Sequence, residues 1–238
     1  GHDIAYSSYN PPPPEDVASC LLENIDYMRC EGMQQMTQGL LNRMAVAHAH
    51  FEGVHPFRDG NGRVGRLLLP LMMAADGRVP LYLSQYIEAH RQDYYDALKA
   101  AQQRLEWSRI VGYLADAVSG AVAELVTTRK ALAALADAWT KRRKWRKGSA
   151  ALAALDLLPS YPVITVKRLS NELAVTFKAA AQAVSQLEDA GILIERTGFA
   201  RNRVFTAREV LSILNRPYGE EPQLETPASG EALSHKLA

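Results

Sequence analysis

Cysteine is scarce in this sequence, which has only Cys20 and Cys30 in 238 residues. Two cysteines cannot build the disulfide framework of a small secreted domain, so we expect a chain from a reducing compartment. The N-terminus lacks the basic-then-apolar pattern of a secretory signal. Apolar runs of about 18 residues, as a membrane-spanning helix needs, are lacking too, because Arg, Asp, Gln or Glu interrupts each stretch. These absences predict a cytoplasmic protein that does not enter a membrane.

An excess of one sign of charge is also lacking. The chain has 27 basic and 26 acidic side chains, which gives a net charge of +1. This balance provides no overall attraction to nucleic acid or to an anionic membrane surface. The 47% hydrophobic and 22% charged fractions are typical of a globular protein and exclude a chain that is disordered throughout. The length fits one large domain or two small ones.

Helical periodicity dominates the first 147 residues. Ten mostly polar residues lead into four prolines at 11–14, which favour an extended polyproline segment. Apolar residues then recur at spacings of three and four, which indicates helices. Ser84 is expected to cap one of them, and the proline-free stretch after Trp107 fits one long helix or two. The predicted helices cover residues 15–28, 37–51, 63–75, a stretch from 84 onward, and 107–145.

The pattern changes after Gly148. Helices are predicted at 150–158, 166–173 and 178–190, with a turn at 174–176 that Phe177 is expected to anchor in a small core. Two short stretches, Ile192-Leu193-Ile194 and Arg203-Val204-Phe205, flank Gly198 and indicate a hairpin. Helix, helix, turn, helix and hairpin is the order of a winged helix-turn-helix. We therefore predict a mainly α chain with a helical bundle at 1–147, a small α+β winged helix-turn-helix domain at 148–216, and a flexible tail at 217–238.

The candidate functional segment is residues 55–66, which read His-Pro-Phe-Arg-Asp-Gly-Asn-Gly-Arg-Val-Gly-Arg. It is a loop of small residues that leads directly into a predicted helix. Gly60 and Gly62 allow the backbone to approach a ligand closely, and the N–H groups at a helix start favour an anion. Arg63 and Arg66 share one face of that helix and can clamp phosphate oxygens. The segment therefore predicts a phosphate-binding loop.

Other side chains of the loop add catalytic chemistry. Asp59 is suited to Mg²⁺, which usually binds through one or two carboxylates plus substrate phosphates. Asn61 can donate to a phosphate oxygen. His55 titrates near neutrality and can act as general base towards a hydroxyl nucleophile. Phe57 is the only large aromatic residue of the loop, and we expect it to anchor the loop in the core.

These residues resemble the signature of the Fic family, His-x-Phe-x-Asp/Glu-Gly-Asn-Gly-Arg-x-x-Arg, which the sequence matches at every specified position. Tyr9 with the four prolines is similar to the strap that opens many bacterial Fic domains. Residues 82–87, followed by Tyr94 and Tyr95, are similar to the helix after the motif. The resemblance covers most of residues 1–147, and a winged helix is a common companion in this family. It implies a Fic-type helical bundle for the first domain.

The resemblance also implies an activity, the transfer of AMP from ATP to a Ser, Thr or Tyr hydroxyl of a protein with release of pyrophosphate. The target could be the chain itself. His55 would take the proton from that hydroxyl, and Asp59 would hold Mg²⁺. The nucleotide would be held at its phosphates by Gly60, Asn61, Gly62, Arg63 and Arg66, and at its nucleoside by Tyr94 and Gln102.

Two regulatory elements of the family normally lie upstream of the strap. These are a hairpin flap that aligns the substrate and, in many relatives, an inhibitory helix. The chain starts at or within the end of the flap, so we expect both elements to be missing or cut. Residues 19–24 fit the short inhibitory pattern Ser/Thr-x-x-x-Glu-Gly/Asn, but they follow the strap in a helix whose leucines have a core role. We interpret that match as coincidental.

Several alternatives remain open. The chain could be a DNA-binding regulator that senses a nucleotide with the Fic fold and transfers nothing, or a toxin-like Fic protein that a separate partner keeps silent. The winged helix suits DNA or protein, and a homodimer is open as well. The basic run at 141–147 is typical of a solvated helix end, with a nucleic-acid patch as the alternative. His48 and His50 point to different sides of a helix, so a metal site shared with His55 is not expected.

Overall fold

In the computed structural model the described residues are 11–30, 39–199 and 202–224. The chain divides into two compact units, which we call the N-terminal unit (Gly1–Glu124) and the C-terminal unit (Leu125–Ala238). The structure is mainly helical, as predicted, with 65% of it in helices and few strands. Tyr9 of the predicted strap and Thr37, the predicted start of the second helix, lie outside the described residues.

Helices build the N-terminal unit. Their bounds are α1 Val17–Arg29, α2 Leu40–Val54, α3 Asn61–Ala75, α4 Ser84–Ala89, α5 Arg91–Arg104 and α6 Trp107–Lys141, the last of which continues into the C-terminal unit. Central helix α2 packs on both α1 and α3. The small buried side chains of Ala45, Ala47 and Ala49 let these neighbours approach it closely. The core is completed by larger side chains such as Met44, Leu69, Tyr94 and Leu114.

Two local predictions for this unit need correction. The loop between the helices predicted at 37–51 and 63–75 is shorter than expected, because α2 runs on to Val54 and α3 already begins at Asn61. Ser84 does not cap α4 but is its first residue, and the cap position is Leu83, which offers no side-chain hydrogen bond. The helix is held instead by its apolar side, since Leu83 and Ile87 are both buried in the core.

Four helices and a three-stranded antiparallel sheet make up most of the C-terminal unit. In chain order they are α7 Ala150–Leu157, β1 Val163–Thr165, α8 Val166–Glu172, α9 Phe177–Asp189, β2 Ile194–Glu195, β3 Val204–Thr206 and α10 Arg208–Leu214. The sheet order is β1-β3-β2, with Ile164 opposite Phe205 and Ile194 opposite Thr206. The predicted hairpin is therefore part of a larger sheet, whose strand β1 the sequence analysis missed.

Short polar side chains start three of these helices. The side chains of Ser149, Thr165 and Thr176 each accept a hydrogen bond from a backbone N–H three residues ahead. The prediction that Phe177 anchors its turn in the core is wrong, because its side chain is 62% exposed. Thr176 fixes the start of α9, and buried Ala180, Ala183, Val184 and Leu187 hold the helix against the core.

The second half of α6 belongs to the core of the C-terminal unit. Leu135 and Trp139 are buried there, and the indole of Trp139 donates to the carboxylate of Glu209 on α10 (2.8 Å). Arg142 pairs with the same carboxylate at 2.5 Å. The boundary between the two compact units therefore lies inside α6, whereas the sequence analysis placed the domain boundary between residues 147 and 148. The basic run is not simply a solvated helix end, since Arg142 is largely buried.

Helix α6 differs from the sequence expectation in one more respect. Within the part of the chain that the structure describes, it is the one helix long and apolar enough to cross a membrane by length and composition alone. The few charges in its apolar stretch do not break the helix. Its apolar residues Ile110 and Leu114 are buried in one protein core and Leu135 and Trp139 in the other, whereas Val122, Leu125 and Val126 between them are exposed.

Candidate active site

The turn from α2 into α3 presents His55 to solvent. His55 is the C-terminal cap residue of α2, with a left-handed φ of 49°, and its N–H donates to the carbonyl of Phe51 (3.1 Å). This conformation ends the helix and turns the chain outward. The residue is exposed, as a general base that meets a substrate hydroxyl must be.

Gly60 makes the turn back into α3. Its φ of +86° is a left-handed conformation that costs glycine little, and its carbonyl accepts the first hydrogen bond of the helix, from Val64 N–H (3.0 Å). The first N–H groups of a helix have no partner inside it. The start of α3 therefore presents N–H donors at the end of the loop that begins at His55, and their use by a phosphate stays a prediction.

The loop is braced by Asn61 rather than by Phe57. Asn61 is buried, its side-chain oxygen accepts from Phe57 N–H (2.8 Å), and its side-chain nitrogen donates to the Phe57 carbonyl (2.6 Å). Phe57 is 48% exposed, so the prediction that it anchors the loop in the core is wrong, although its ring lies 6.4 Å from that of Phe51. The amide of Asn61 was expected to face phosphate, and the structure uses it to shape the loop.

Both arginines of the motif fold back towards the start of α3. A Cβ built on Gly60 would lie 3.3 Å from Arg63 Nη2, and one on Gly62 would lie 3.1 Å from Arg66 Nη1. Arg63 also forms an exposed ion pair with Asp59 (3.0 Å). The structure thus places both guanidinium groups near the start of α3, and their assignment to the phosphates stays a prediction.

Asp59 is the carboxylate of this loop. It is exposed, and one of its oxygens accepts from Gly60 N–H at 2.7 Å. Among the described residues, no group of three or more His, Cys, Asp or Glu side chains could hold a metal ion. A single exposed carboxylate fits Mg²⁺ bound mainly through substrate phosphates, and it does not fit an all-protein metal site.

Tyr94 and Gln102 are less exposed than the side chains of the loop. Tyr94 is buried, and its hydroxyl donates to Nε2 of His48 (2.7 Å), whose Nδ1 donates to the carbonyl of Gly65 (3.0 Å). The half-buried amide of Gln102 donates to the carbonyl of Ala49 (3.0 Å). The structure places both side chains against α2, where they are already hydrogen-bonded, so their assignment to the nucleoside stays a prediction.

His48 is fully buried, at the contact between α2 and α3. Burial lowers its pKa to about 4, more strongly than the hydrogen bond to Gly65 raises it, and the charge of Arg66 lowers it further. Burial also raises the pKa of the Tyr94 hydroxyl. Both groups are therefore neutral at neutral pH, and the tautomer with a proton on Nδ1 satisfies both partners of His48.

Glu52 is a charged residue of this region that sequence analysis missed. It lies three residues before His55, and burial raises the pKa of its carboxyl, whereas the charges of Arg66 and His55 lower it. Its Oε1 is buried without a hydrogen-bond partner in the described part of the chain. The spacing of His48 and Glu52, four residues apart on α2, was the available signal, since such residues share one helix face.

The short pattern at 19–24 has a structural role. Asn24 is buried, and its side chain donates to the carbonyl of Ala47 (3.2 Å), which fastens α1 to α2. Glu23 of the same pattern is exposed. The expected core role of the leucines in this pattern is wrong, because Leu22 is 61% exposed and Leu21 is only half-buried. That the match to an inhibitory helix is coincidental stays an interpretation.

Comparison with known proteins finds a family model that is similar to the first part of the chain. Residues 2–73 match the model of the Fic/DOC family. The matched region includes α1, α2, the loop from His55 to Gly60 and most of α3.

Relatives of this chain carry the name of an enzyme. A probable protein adenylyltransferase of Aquifex aeolicus (strain VF5) is 32% identical over 97 residues, which are 41% of this chain and 28% of the relative. The protein adenylyltransferase fic-1 of Caenorhabditis briggsae is 39% identical over 98 residues, 41% of this chain and 18% of the relative. The chain thus spans less than a third of either relative.

A solved structure aligns over a longer stretch. It is a Fic family protein from Desulfovibrio desulfuricans G20, and the alignment covers 83% of this chain and 56% of that chain, with 18% sequence identity and a TM-score of 0.41.

Proposed function

We propose that this chain is a protein adenylyltransferase that moves AMP from ATP to a Ser, Thr or Tyr hydroxyl of a protein and releases pyrophosphate. The observation that carries the proposal is the arrangement of the loop. Residues 55–66 bring together the groups that the reaction needs. These are the exposed His55, the carboxylate of Asp59, the guanidinium groups of Arg63 and Arg66, and the start of α3. The relatives named protein adenylyltransferase support the same reaction.

In the proposed step, His55 takes the proton of the target hydroxyl as its oxygen attacks the α-phosphorus of ATP. The new P–O bond forms while the bond to the bridging oxygen of the β-phosphate breaks, and the electron pair leaves with pyrophosphate. The start of α3 at Gly60 and Gly62, together with Arg63 and Arg66, stabilises the charge on the phosphates. Mg²⁺ held by Asp59 and the phosphates would neutralise further charge.

The partner in this reaction is a protein with an accessible hydroxyl, and the chain itself is one candidate. Incubation with labelled ATP and Mg²⁺, followed by mass spectrometry of the chain, tests for an added AMP. Arg66→Ala is expected to weaken ATP binding more than AMP binding, because its guanidinium is assigned to the distal phosphates. Equal losses for both ligands in calorimetry would assign Arg66 a structural role instead.

A second candidate, a nucleotide-sensing regulator that binds DNA, is favoured by the distribution of charge. The N-terminal unit has 10 basic and 15 acidic residues and the C-terminal unit 17 and 11, so their net charges are −5 and +6. A positive unit suits a polyanion, although the whole chain is almost neutral. The order α7, β1, α8, α9, β2, β3 supports a winged helix-turn-helix in this unit.

The surface that would meet DNA has few available cations. Lys178 and Arg196 are exposed, but Arg203 is tied to Glu195 (2.8 Å) and Glu188 (3.6 Å). Arg201 lies outside the described residues. Gel shifts of the full chain over a salt series test this function, because phosphate contacts release counterions and affinity then falls steeply with salt. If the chain binds no DNA even at low salt, a protein-docking role of this unit is favoured instead.

A further inference from the structure

The imidazole of His48 joins three helices behind the loop that begins at His55. It belongs to α2 and is fully buried. Its Nδ1 lies 3.0 Å from the carbonyl of Gly65 on α3, and its Nε2 lies 2.7 Å from the hydroxyl of Tyr94 on α5. A carbonyl only accepts, so Nδ1 carries the proton, and in the neutral ring Tyr94 then donates to Nε2. His48 is therefore a donor held towards one carbonyl of α3.

Both ends of this bond are close to the candidate active site along the chain. His48 precedes His55 by seven residues, which is about two turns of α2, so the two residues lie on nearly the same side of that helix. Gly65 lies between Arg63 and Arg66 in the first turns of α3. The bond from His48 to Gly65 therefore ties the helix that ends at His55 to the helix that carries both arginines.

The first turns of α3 are less firmly joined to the rest of that helix, because Pro70 lies inside it and is buried. Proline has no N–H, so position 70 donates no helical hydrogen bond to the carbonyl of Arg66, and the proline ring also crowds that carbonyl. The backbone ladder is thus interrupted directly after Gly65. A contact from outside α3, such as the bond from His48, is needed to fix its first turns.

The absence of a side chain at Gly65 allows this contact with α2. A Cβ at position 65 would lie 3.2 Å from Phe51 Cδ1 and 3.0 Å from Glu52 Cδ, so any side chain there would displace atoms of α2. The small residue on α3 brings the two helices together, and the donor on α2 fixes how they meet.

We propose that His48 is a positioning residue, whose hydrogen bond to Gly65 holds the start of α3 at the distance and angle from His55 that AMP transfer needs. This inference rests on the proposed function for the reaction itself. His55 acts on the hydroxyl oxygen and the start of α3 holds the phosphates, so the placement of α3 on α2 sets how the oxygen meets the α-phosphorus. A misplacement of about 1 Å can cost about 100-fold in rate. Loss of the bond should therefore lower the rate of transfer more than the affinity for ATP.

Two substitutions of similar shape test the proposal. His48→Asn keeps a side-chain N–H near the position of Nδ1, which can still donate to the Gly65 carbonyl, whereas His48→Leu has the same branching and no donor. Both remove the acceptor of the Tyr94 hydroxyl, so that loss is common to the two variants. The decisive difference between them is the donor to Gly65.

AMP transfer and ATP affinity are measured with Mg²⁺ where urea unfolding shows every variant to be folded. His48→Leu should lower kcat about 10- to 100-fold and change the Kd for ATP less than about threefold. His48→Asn should keep kcat within about threefold of wild type. His50→Leu, at a half-buried position of α2, is the control and should change neither quantity.

The split between kcat and Kd, and its rescue by asparagine, would not follow from a merely structural role. Equal kcat in His48→Asn and His48→Leu, or a loss confined to the Kd for ATP, would overturn the proposal. If His48→Leu does not fold, His48→Gln replaces it, because its longer amide reaches towards Tyr94 rather than Gly65. A wild-type kcat in His48→Gln would then overturn the proposal.

Hydrogen exchange separates this inference from the proposed function, because it needs no transfer. Amides of α3 before Pro70 should exchange about three- to tenfold faster in His48→Leu than in His48→Asn, and those after Pro70 should differ less. Wild type that binds ATP but transfers no AMP contradicts the proposed function, and exchange then still decides whether His48 fastens α3. Wild type that transfers AMP, with equal exchange in the two variants, contradicts only the role of His48.

Discussion

Acidification should destabilise the N-terminal unit through one residue, His48. Burial lowers the pKa of this imidazole to about 4, from an ordinary value of 6.5. Between these two pH values the unfolded chain binds a proton that the folded chain does not. The contribution of His48 to stability is therefore complete above pH 6.5, and it is lost as the pH falls from 6.5 towards 4.

The expected loss follows from the two pKa values. Between pH 7.5 and pH 5 the free energy of unfolding should fall by about 2 kcal/mol through this residue alone. Glu52 acts in the opposite direction, because burial raises its pKa and its folded form therefore binds a proton more readily. The effect of His48 must thus be isolated with a variant rather than read from the wild type.

His48→Gln is the suitable variant, because a glutamine does not titrate and its oxygen can still accept from Tyr94. Wild type and variant are unfolded in urea at pH 7.5 and at pH 5. Unfolding is followed by hydrogen exchange in the peptide that covers α2, so the stability of the N-terminal unit is measured separately from that of the C-terminal unit. The stability difference between wild type and variant should shift by about 2 kcal/mol between the two pH values. A difference that stays constant with pH would refute the assignment of a neutral buried histidine.

Two further substitutions test the packing of each unit. Glu209→Ala leaves the largely buried Arg142 without its partner, so unfolding in urea should show a loss of about 3–5 kcal/mol; a loss below about 1 kcal/mol would mean that the pair is solvated. Gly65→Ala forces a methyl group against Glu52 and should cost about 1–3 kcal/mol. Gly112→Ala, which meets nothing within 4 Å, is the control and should not destabilise; equal effects would contradict the tight contact at position 65.

Helical periodicity predicted most helices of the chain because it reports which face is buried. Residues at the surface were predicted less well. Phe57 and Phe177 were assigned to cores on size alone, yet a polar residue fixes each turn instead: Asn61 bonds twice to the backbone of Phe57, and Thr176 caps α9. Such side-chain-to-backbone bonds depend on the exact path of the loop, which a hydrophobic pattern does not specify.

The sequence predicted the exposed loop of the candidate site and missed the buried residues behind it. The motif gave the loop and its exposed His55, since those residues are adjacent in sequence. The buried side of the site depends on Gly65, the small residue at which α2 and α3 meet, and on the polar groups of His48, Glu52 and Tyr94 that surround it. These residues come from three helices, and only the packed structure shows that they are neighbours.

One measurement tests the central claim most directly. The wild-type chain and His55→Ala are incubated with labelled ATP and Mg²⁺, with and without a cell extract that supplies protein targets, and modified hydroxyl side chains are identified by mass spectrometry. We predict AMP on Ser, Thr or Tyr with the wild type, a loss of about 10²–10⁴-fold with His55→Ala, and nearly unchanged ATP binding by that variant. AMP transfer by His55→Ala at the wild-type rate, or no transfer by a wild type that binds ATP, would contradict the proposed function.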